Sequence, residues 1–410
     1  MLPSFTTIDA LLTATQSLWR FEPFHSSLDD SLPWQKDYPA LCAWLEQLTP
    51  NDIAYWKTDV SKLITQLGAF IPELSLLHQQ TELSLLDEAC SSQVEAMPRH
   101  LETGIPGRKL TQIQRFANFA LLHHHGDNWL EWCAGKGYLG RLLAASNHEP
   151  VVSLEYQAQL CQSGQHYANQ HQLPMHFVEA DAFSDDALTA FKPQQHAIAL
   201  HACGDLHVTL LKAASAQQSP AITIAPCCYH LTRSAQYQAL SQPAQASGLK
   251  LTQRELRIPL QQTVTGGERV HRHRQQEMIF RLGFDLIARE QLSVGEYLPI
   301  PSIKKSQLAE GFEALCHWAA AQKSYVLPLI DFSTYESRAV ARFWHMERLS
   351  LVQMGFQRAL ELWLVLDRAL YLQERGYKVA LNEFCGANIT PRNILLHAER
   401  VTTQNGEAND

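Results

Sequence analysis

The sequence predicts an α/β protein built on a doubly wound, mostly parallel sheet, with helical segments before the sheet and inside its C-terminal part. Three observations predict it. Trp129–Leu143 reads as a short apolar strand, a glycine-rich turn and a helix in succession. From Trp129 onward, strand-like runs alternate with helical stretches. Two late runs, Lys378–Phe384 and Asn393–Ala398, read as an antiparallel strand pair after a long helical region.

The whole chain sets the bounds. Its 410 residues allow two or three domains and a large core. A formal net charge of −8 gives no global pull toward nucleic acid or anionic membrane, although a local basic face remains open. Nine cysteines show no C-x-x-C pair, which argues for a reducing compartment over a disulfide framework. The first residues lack the basic start and apolar stretch of a signal peptide, and no apolar run is long enough to span a bilayer. The expectation is a soluble, cytoplasmic protein.

Residues 1–100 carry helical periodicity: Leu11, Leu12, Leu18 and Trp19 fit one apolar face, and Leu63, Leu67, Phe70 and Ile71 another. They read as a helical N-terminal domain without evident chemistry. A helix through Gln112–Leu122 leads into the first strand. His123-His124-His125 ends that helix, and cation placement at a helix C-terminus accounts for the tract more cheaply than a metal does.

The first strand carries Glu131. The turn after it is Cys133-Ala134-Gly135-Lys136-Gly137, where glycines admit positive φ and close approach of a ligand. Gly135, Gly137 and Gly140 meet the dinucleotide spacing; Glu131 instead suits a methyl donor carrying a cationic amine; an ordinary tight turn is the third reading. The second strand, Val151–Glu155, ends in a carboxylate twenty residues after Gly135, where ribose hydroxyls are accepted. The third, Met175–Glu179, leads to Asp181-Ala182-Phe183, suited to an adenine. The fourth runs from His196 to His201-Ala-Cys203-Gly204-Asp205. The fifth, Ala221–Ala225, ends in Pro226-Cys227-Cys228-Tyr229-His230. In an open α/β sheet, ligands sit at the carboxyl ends of the strands, so these ends share one crevice.

Glu-Trp-Cys-Ala-Gly-Lys-Gly-Tyr-Leu-Gly, His-Ala-Cys-Gly-Asp-Leu and Cys-Cys-Tyr-His together resemble S-adenosylmethionine-dependent methyltransferases of the Cys-Cys-x-His group. That group includes the methyltransferase-like twenty-five branch. It is distantly similar to the tRNA acceptor-stem ribose methyltransferase and to the C-terminal domain of a glutathione-transferase-like protein. Leu366-Asp-Arg-Ala-Leu-Tyr-Leu and Thr390-Pro-Arg-Asn393 look like its later segments, so the resemblance covers roughly 100–400. It departs at Cys133, where the usual turn has its first glycine.

The resemblance implies a Rossmann-like, seven-stranded class I methyltransferase sheet. The helical N-terminal domain would be 1–100 and the methyltransferase domain 101–402. A helical insertion at about 270–376 would precede the last two strands, and 403–410 would be a disordered tail. S-adenosyl-L-methionine is the implied cofactor. Glu131, Cys133, Gly135, Gly137, Glu155, Asp181, Ala182 and His201 would bind it. Asp205, Cys227, Cys228, Tyr229 and His230 are the catalytic candidates. The implied acceptor is RNA or a protein side chain, with no membrane partner.

Three alternatives attach to the same residues. Cys227 follows a proline, as the nucleophile of cytosine C5 methyltransferases does, but on the fifth strand and not the fourth. A metal site from Cys203, Cys227, Cys228 and His230 is disfavoured because adjacent cysteines rarely both ligate one ion, so no metal is expected. A non-catalytic partner-binding protein could also retain the donor fold. Residues 250–290 carry eight Lys and Arg (Lys250, Arg254, Arg257, Arg269, Arg272, Arg274, Arg281, Arg289) against five carboxylates (Glu255, Glu268, Glu277, Asp285, Glu290), which suits phosphate binding or a solvated basic face.

Overall fold

A computed structural model of the chain describes residues 2–86, 99–261 and 268–401, apart from the side chains of Arg99, His201 and Glu268. The loop expected at Gly266-Gly267 and the tail expected to be disordered at 403–410 lie outside the described residues. The chain divides into two compact units, one of residues 1–14, 77–264 and 357–410, the other of 15–76 and 265–356. This differs from the linear division expected near residue 100. Helical periodicity shows that a segment has an apolar face, but not which partner covers it.

The sheet unit holds β1 (Asn128–Trp132), β2 (Val151–Glu155), β3 (Met175–Glu179), β4 (Gln195–Cys203), β5 (Ala221–Cys227), β6 (Tyr377–Glu383) and β7 (Ile394–Arg400). Their order is β3-β2-β1-β4-β5-β7-β6. The first five pair in parallel, while β7 runs antiparallel between β5 and β6. Strands β2 and β5 are buried at every position, which is why they read as near-continuous small and apolar runs. Edge strand β6 begins with the alternation of a sheet covered on one face. This is the Rossmann-like class I methyltransferase arrangement expected from the sequence.

Helices α1 (Gly107–Leu122), α2 (Tyr138–Asn147), α3 (Ala158–Gln170) and α4 (Asp205–Ala216) belong to the same unit. Phe116, Phe119, Trp129, Leu142, Leu143, Val151 and Ile198 are buried in one core cluster between helices and sheet.

The second unit is helical and includes α5 (Glu268–Gln291) and α6 (Phe332–Met354). Buried Arg342 on α6 pairs with Asp285 at 2.8 Å and donates to the Phe24 carbonyl at 3.0 Å, which ties the insertion to the early helices. Arg269, Arg272 and Arg274 are exposed on α5, whereas Arg281 and Arg289 pair within the helix with Glu277 and Asp285. The last helix, α7 (Gln357–Gln373), rejoins the sheet unit: Trp363 donates to Asp9 at 2.8 Å and packs at a tilt against Phe5.

A row of buried and half-buried imidazoles crosses the sheet near the N-terminal ends of its parallel strands. His397 Nε2 donates to Glu399 at 3.1 Å, and its Nδ1 accepts from the Thr223 hydroxyl at 2.7 Å. Thr223 Oγ1 accepts from His196 Nε2 at 2.8 Å, and the two Nδ1 atoms of His196 and His124 stand 3.2 Å apart. His124 lies flat on Trp129 at 3.9 Å and faces Glu149 at 2.6 Å. His123 and His124 at the end of α1 are therefore not a charged helix cap. Burial holds His123, His124 and His196 below the usual imidazole range, and pushes His397 down to about 4.

The sign of the consequence follows from linkage. The unfolded chain takes up the His397 proton near the ordinary imidazole value of 6.5 and the folded chain only near 4, so His397 lowers stability as pH falls through that window. Glu131, raised to about 7, acts in the opposite sense, so a difference measurement is needed. The stability of His397→Asn should gain on the parent by about 2 kcal/mol between about pH 7 and about pH 5. Parallel curves in urea titrations would remove His397 as the acid-sensitive group.

Candidate active site

The turn after β1 is built from left-handed residues. Cys133, Gly135 and Gly137 have φ of 56°, 60° and 69°. Cys133 holds this conformation with a Cβ present, at an expected cost of about 1 kcal/mol. The departure seen in the sequence is thus accommodated by strain, and burial pushes its thiol up to about 12. The three glycines have different reasons. A Cβ on Gly137 would stand 2.6 Å from Phe177, and one on Gly140 2.5 Å from Glu131 Oε2, so both serve packing. A Cβ on Gly135 would meet nothing within 4 Å. Only Gly135 opens onto free space.

Glu131 lies beneath this turn, 3% exposed. Its carboxylate accepts from Ser153 Oγ at 2.8 Å and faces the backbone N–H groups of Leu139 and Gly140 in the first turn of α2. Desolvation outweighs these donors and raises its pKa to about 7. Arg141 braces the turn from the side, donating to the Lys136 carbonyl at 3.0 Å with its guanidinium 3.6 Å over the Tyr167 ring.

Glu155 closes β2. Its two oxygens accept from the backbone N–H groups of Gly135 and Gln157, both at 2.9 Å. A carboxylate has about four lone-pair sites, so acceptor capacity remains beside the open face of Gly135. Tyr156 follows at 70% exposure, an aromatic face next to that carboxylate. After β3, Asp181 accepts from Phe183 N at 3.0 Å, Ala182 is buried and Phe183 is exposed under the Arg233 guanidinium. A cleft of about 320 Å³ adjoins this loop, lined by Trp132, Ala182, Phe183, Leu188, Thr209 and Lys212 among others. The His201 side chain lies outside the described residues.

The ends of β4 and β5 are joined by backbone hydrogen bonds: Gly204 N donates to the Cys227 carbonyl and Asp205 N to the Leu231 carbonyl, both at 3.0 Å. Asp205 accepts from Arg233 N at 2.8 Å and Thr232 Oγ1 at 3.2 Å, so it pins the loop after β5 to the start of α4. Cys203 and Cys227 are register partners with sulfurs 3.4 Å apart, and the three sulfurs of Cys203, Cys227 and Cys228 fall within 4.8 Å of one another. Cys227 is 5% exposed, and its hydrogen bond with Cys203 holds its thiol far above the ordinary range. Cys228 shifts the other way: hydrogen bonds from Cys203 and Cys227 favour its thiolate, with His230 and Arg392 adding to the effect. Tyr229 is 2% exposed and turned inward, its ring under the Arg368 guanidinium. It packs beneath the strand end and offers no open stacking face.

Several site-forming residues carry no signal that periodicity could decode. Asp367 on α7 has no exposed surface and accepts from Tyr237 Oη, Leu240 N, Ser241 N and Ser241 Oγ. Arg368 donates to His207 Nε2 at 2.7 Å, while His207 Nδ1 donates to the Ala202 carbonyl at 2.9 Å, immediately behind Cys203. The Leu366-Asp-Arg motif thus braces two loops of the site from inside. The polar Ser153 within an otherwise apolar strand was a readable signal for Glu131, its register partner on β1.

Residues 108–235 match a family model described as a methyltransferase domain. Among solved structures, the chain is similar to a SAM-dependent methyltransferase from Aquifex aeolicus at 11% identity, covering 32% of this chain and 72% of that one, with a TM-score of 0.24. It is similar to the 23S rRNA methyltransferase ErmE at 17% identity, covering 50% and 96%, with a TM-score of 0.24. It is also similar to a coclaurine N-methyltransferase bound to N-methylheliamine and SAH, at 9% identity, covering 86% and 95%, with a TM-score of 0.24. Comparison with curated proteins gave no match.

Proposed function

We propose that the chain is an S-adenosylmethionine-dependent methyltransferase of the methyltransferase-like twenty-five type. The observation that carries the reading is the cradle at Gly135, where a glycine facing open space donates its N–H to a strand-end carboxylate that has acceptor capacity left. The methyltransferase-domain match over 108–235 supports it. Bound there, S-adenosylmethionine supplies an electrophilic sulfonium methyl. Glu155 accepts the ribose hydroxyls. Gly135 and Gly137 let the backbone approach, with Cys133 shaping the turn and Glu131 fixing it from below. Asp181, Ala182 and Tyr156 flank the adenine, and His201 is carried on β4, on the other side of β1.

The acceptor side is assigned to Cys203–Asp205 and Pro226–His230. RNA and protein side chains are the acceptor classes, to be separated by comparative mass spectrometry of RNA nucleosides and ribosomal proteins from a deletion strain. His230 is the candidate proton acceptor there; burial holds its imidazole below the usual range, hence neutral and able to accept at neutral pH. Asp205 positions the loop. A covalent route through Cys227 loses support, since that thiol is buried and held protonated.

The test is calorimetric titration with S-adenosylmethionine, and with NAD for comparison. Glu155→Ala should weaken donor binding by about 1–3 kcal/mol, because ribose hydroxyls lose a charged acceptor. Tight NAD binding by the parent, or full donor affinity in folded Glu155→Ala, would sink the assignment.

A further inference from the structure

We propose that Cys203, Cys227 and Cys228 form a thiolate site for a soft divalent cation of the Zn2+ class. Three small buried hydrophobes do not explain the cluster, because the backbone is bent to make it. In an extended strand, consecutive side chains point to opposite faces, so Cys227 and Cys228 would part. Cys228 instead has φ of 47°, a left-handed conformation that costs a non-glycine residue about 1 kcal/mol. The reversal returns its sulfur to the side of Cys203 and Cys227. This also answers the objection that adjacent cysteines cannot share an ion.

The dimensions suit the ion. Zinc–sulfur bonds are about 2.3 Å, which sets sulfurs about 3.8 Å apart around a tetrahedral centre. The three sulfurs fall within 4.8 Å of one another, and one pair stands at 3.4 Å, so small adjustments close the site. The charges balance as well. Three thiols that bind one divalent cation as thiolates release three protons to solvent and leave one net negative charge.

An independent observation points the same way. His230, two residues beyond Cys228, has a buried Nδ1 with no hydrogen-bond partner among the described residues. Three protein ligands with a fourth position left open is the pattern of a zinc site that keeps an exchangeable ligand. The proposal rests on the thiol geometry and not on the methyl-donor reading.

The test uses the full chain, reduced and stripped with a chelator, titrated with Co2+ alone. One equivalent should give thiolate charge-transfer absorption and the strong visible bands of tetrahedral cobalt, and Zn2+ should displace them. Cys228→Ser, at a half-buried position, should weaken cobalt binding at least a hundredfold, while Cys42→Ser in the helical unit should change nothing. A parent without these bands would overturn the proposal, as would an undiminished spectrum in Cys228→Ser. Should that variant misfold, alkylation of the parent decides. Zn2+ should shield Cys203 and Cys228 from iodoacetamide in peptide mass spectra, and equal labelling of these two with and without Zn2+ would overturn it. Donor titration of the same samples reports the methyltransferase reading separately.

Discussion

Gly135→Val should abolish S-adenosylmethionine binding, with affinity falling at least about a hundredfold, or about 3 kcal/mol. Two effects combine. Gly135 has φ of 60°, and a β-branched residue is a true outlier there. Its side chain would also fill space in which a Cβ at this position meets nothing within 4 Å. Gly135→Asn separates them, because asparagine tolerates the left-handed conformation but still puts atoms into the cradle. Both variants should lose binding in calorimetry while keeping the parent's far-UV spectrum. Parent-like affinity in Gly135→Asn would place the donor elsewhere.

Asp367→Ala should destabilise the chain by about 3–5 kcal/mol, the range expected when one partner is removed from a buried charged network. The carboxylate is completely buried and accepts four hydrogen bonds, from Tyr237 Oη, Leu240 N, Ser241 N and Ser241 Oγ. The backbone donors at Leu240 and Ser241 would be left without acceptors and away from water. Neighbouring Arg368, itself 2% exposed, would lose the adjacent negative charge. Asp367→Asn should cost less, since its carbonyl oxygen still accepts. Urea unfolding of both variants checks this, and a loss under about 1 kcal/mol in Asp367→Ala would show that the 237–241 loop does not depend on α7.

The effect of Asp367 shows where the sequence stops being readable. Its motif was visible as a resemblance, but nothing in helical spacing says that a carboxylate on α7 closes a loop more than a hundred residues earlier. The five parallel strands were legible, because strands buried on both faces must be apolar at nearly every position. So was the late antiparallel pair. His123 and His124 misled, because a helix-terminal histidine reads as a cation until burial is known. His124 lies against Trp129 and His196, and desolvation makes it neutral.

By itself the sequence determined the sheet, the glycine turn, the acidic strand ends and the residues gathered around them. These follow from periodicity and local backbone rules, which act over a few residues. Tertiary structure alone decided that Gly135, and not Gly137 or Gly140, opens onto space. It also decided that Glu131 faces inward, that Tyr229 is packing, and that a left-handed Cys228 draws three sulfurs together. Each of these depends on which distant side chain stands within a few ångströms, and spacing along the chain does not encode that distance.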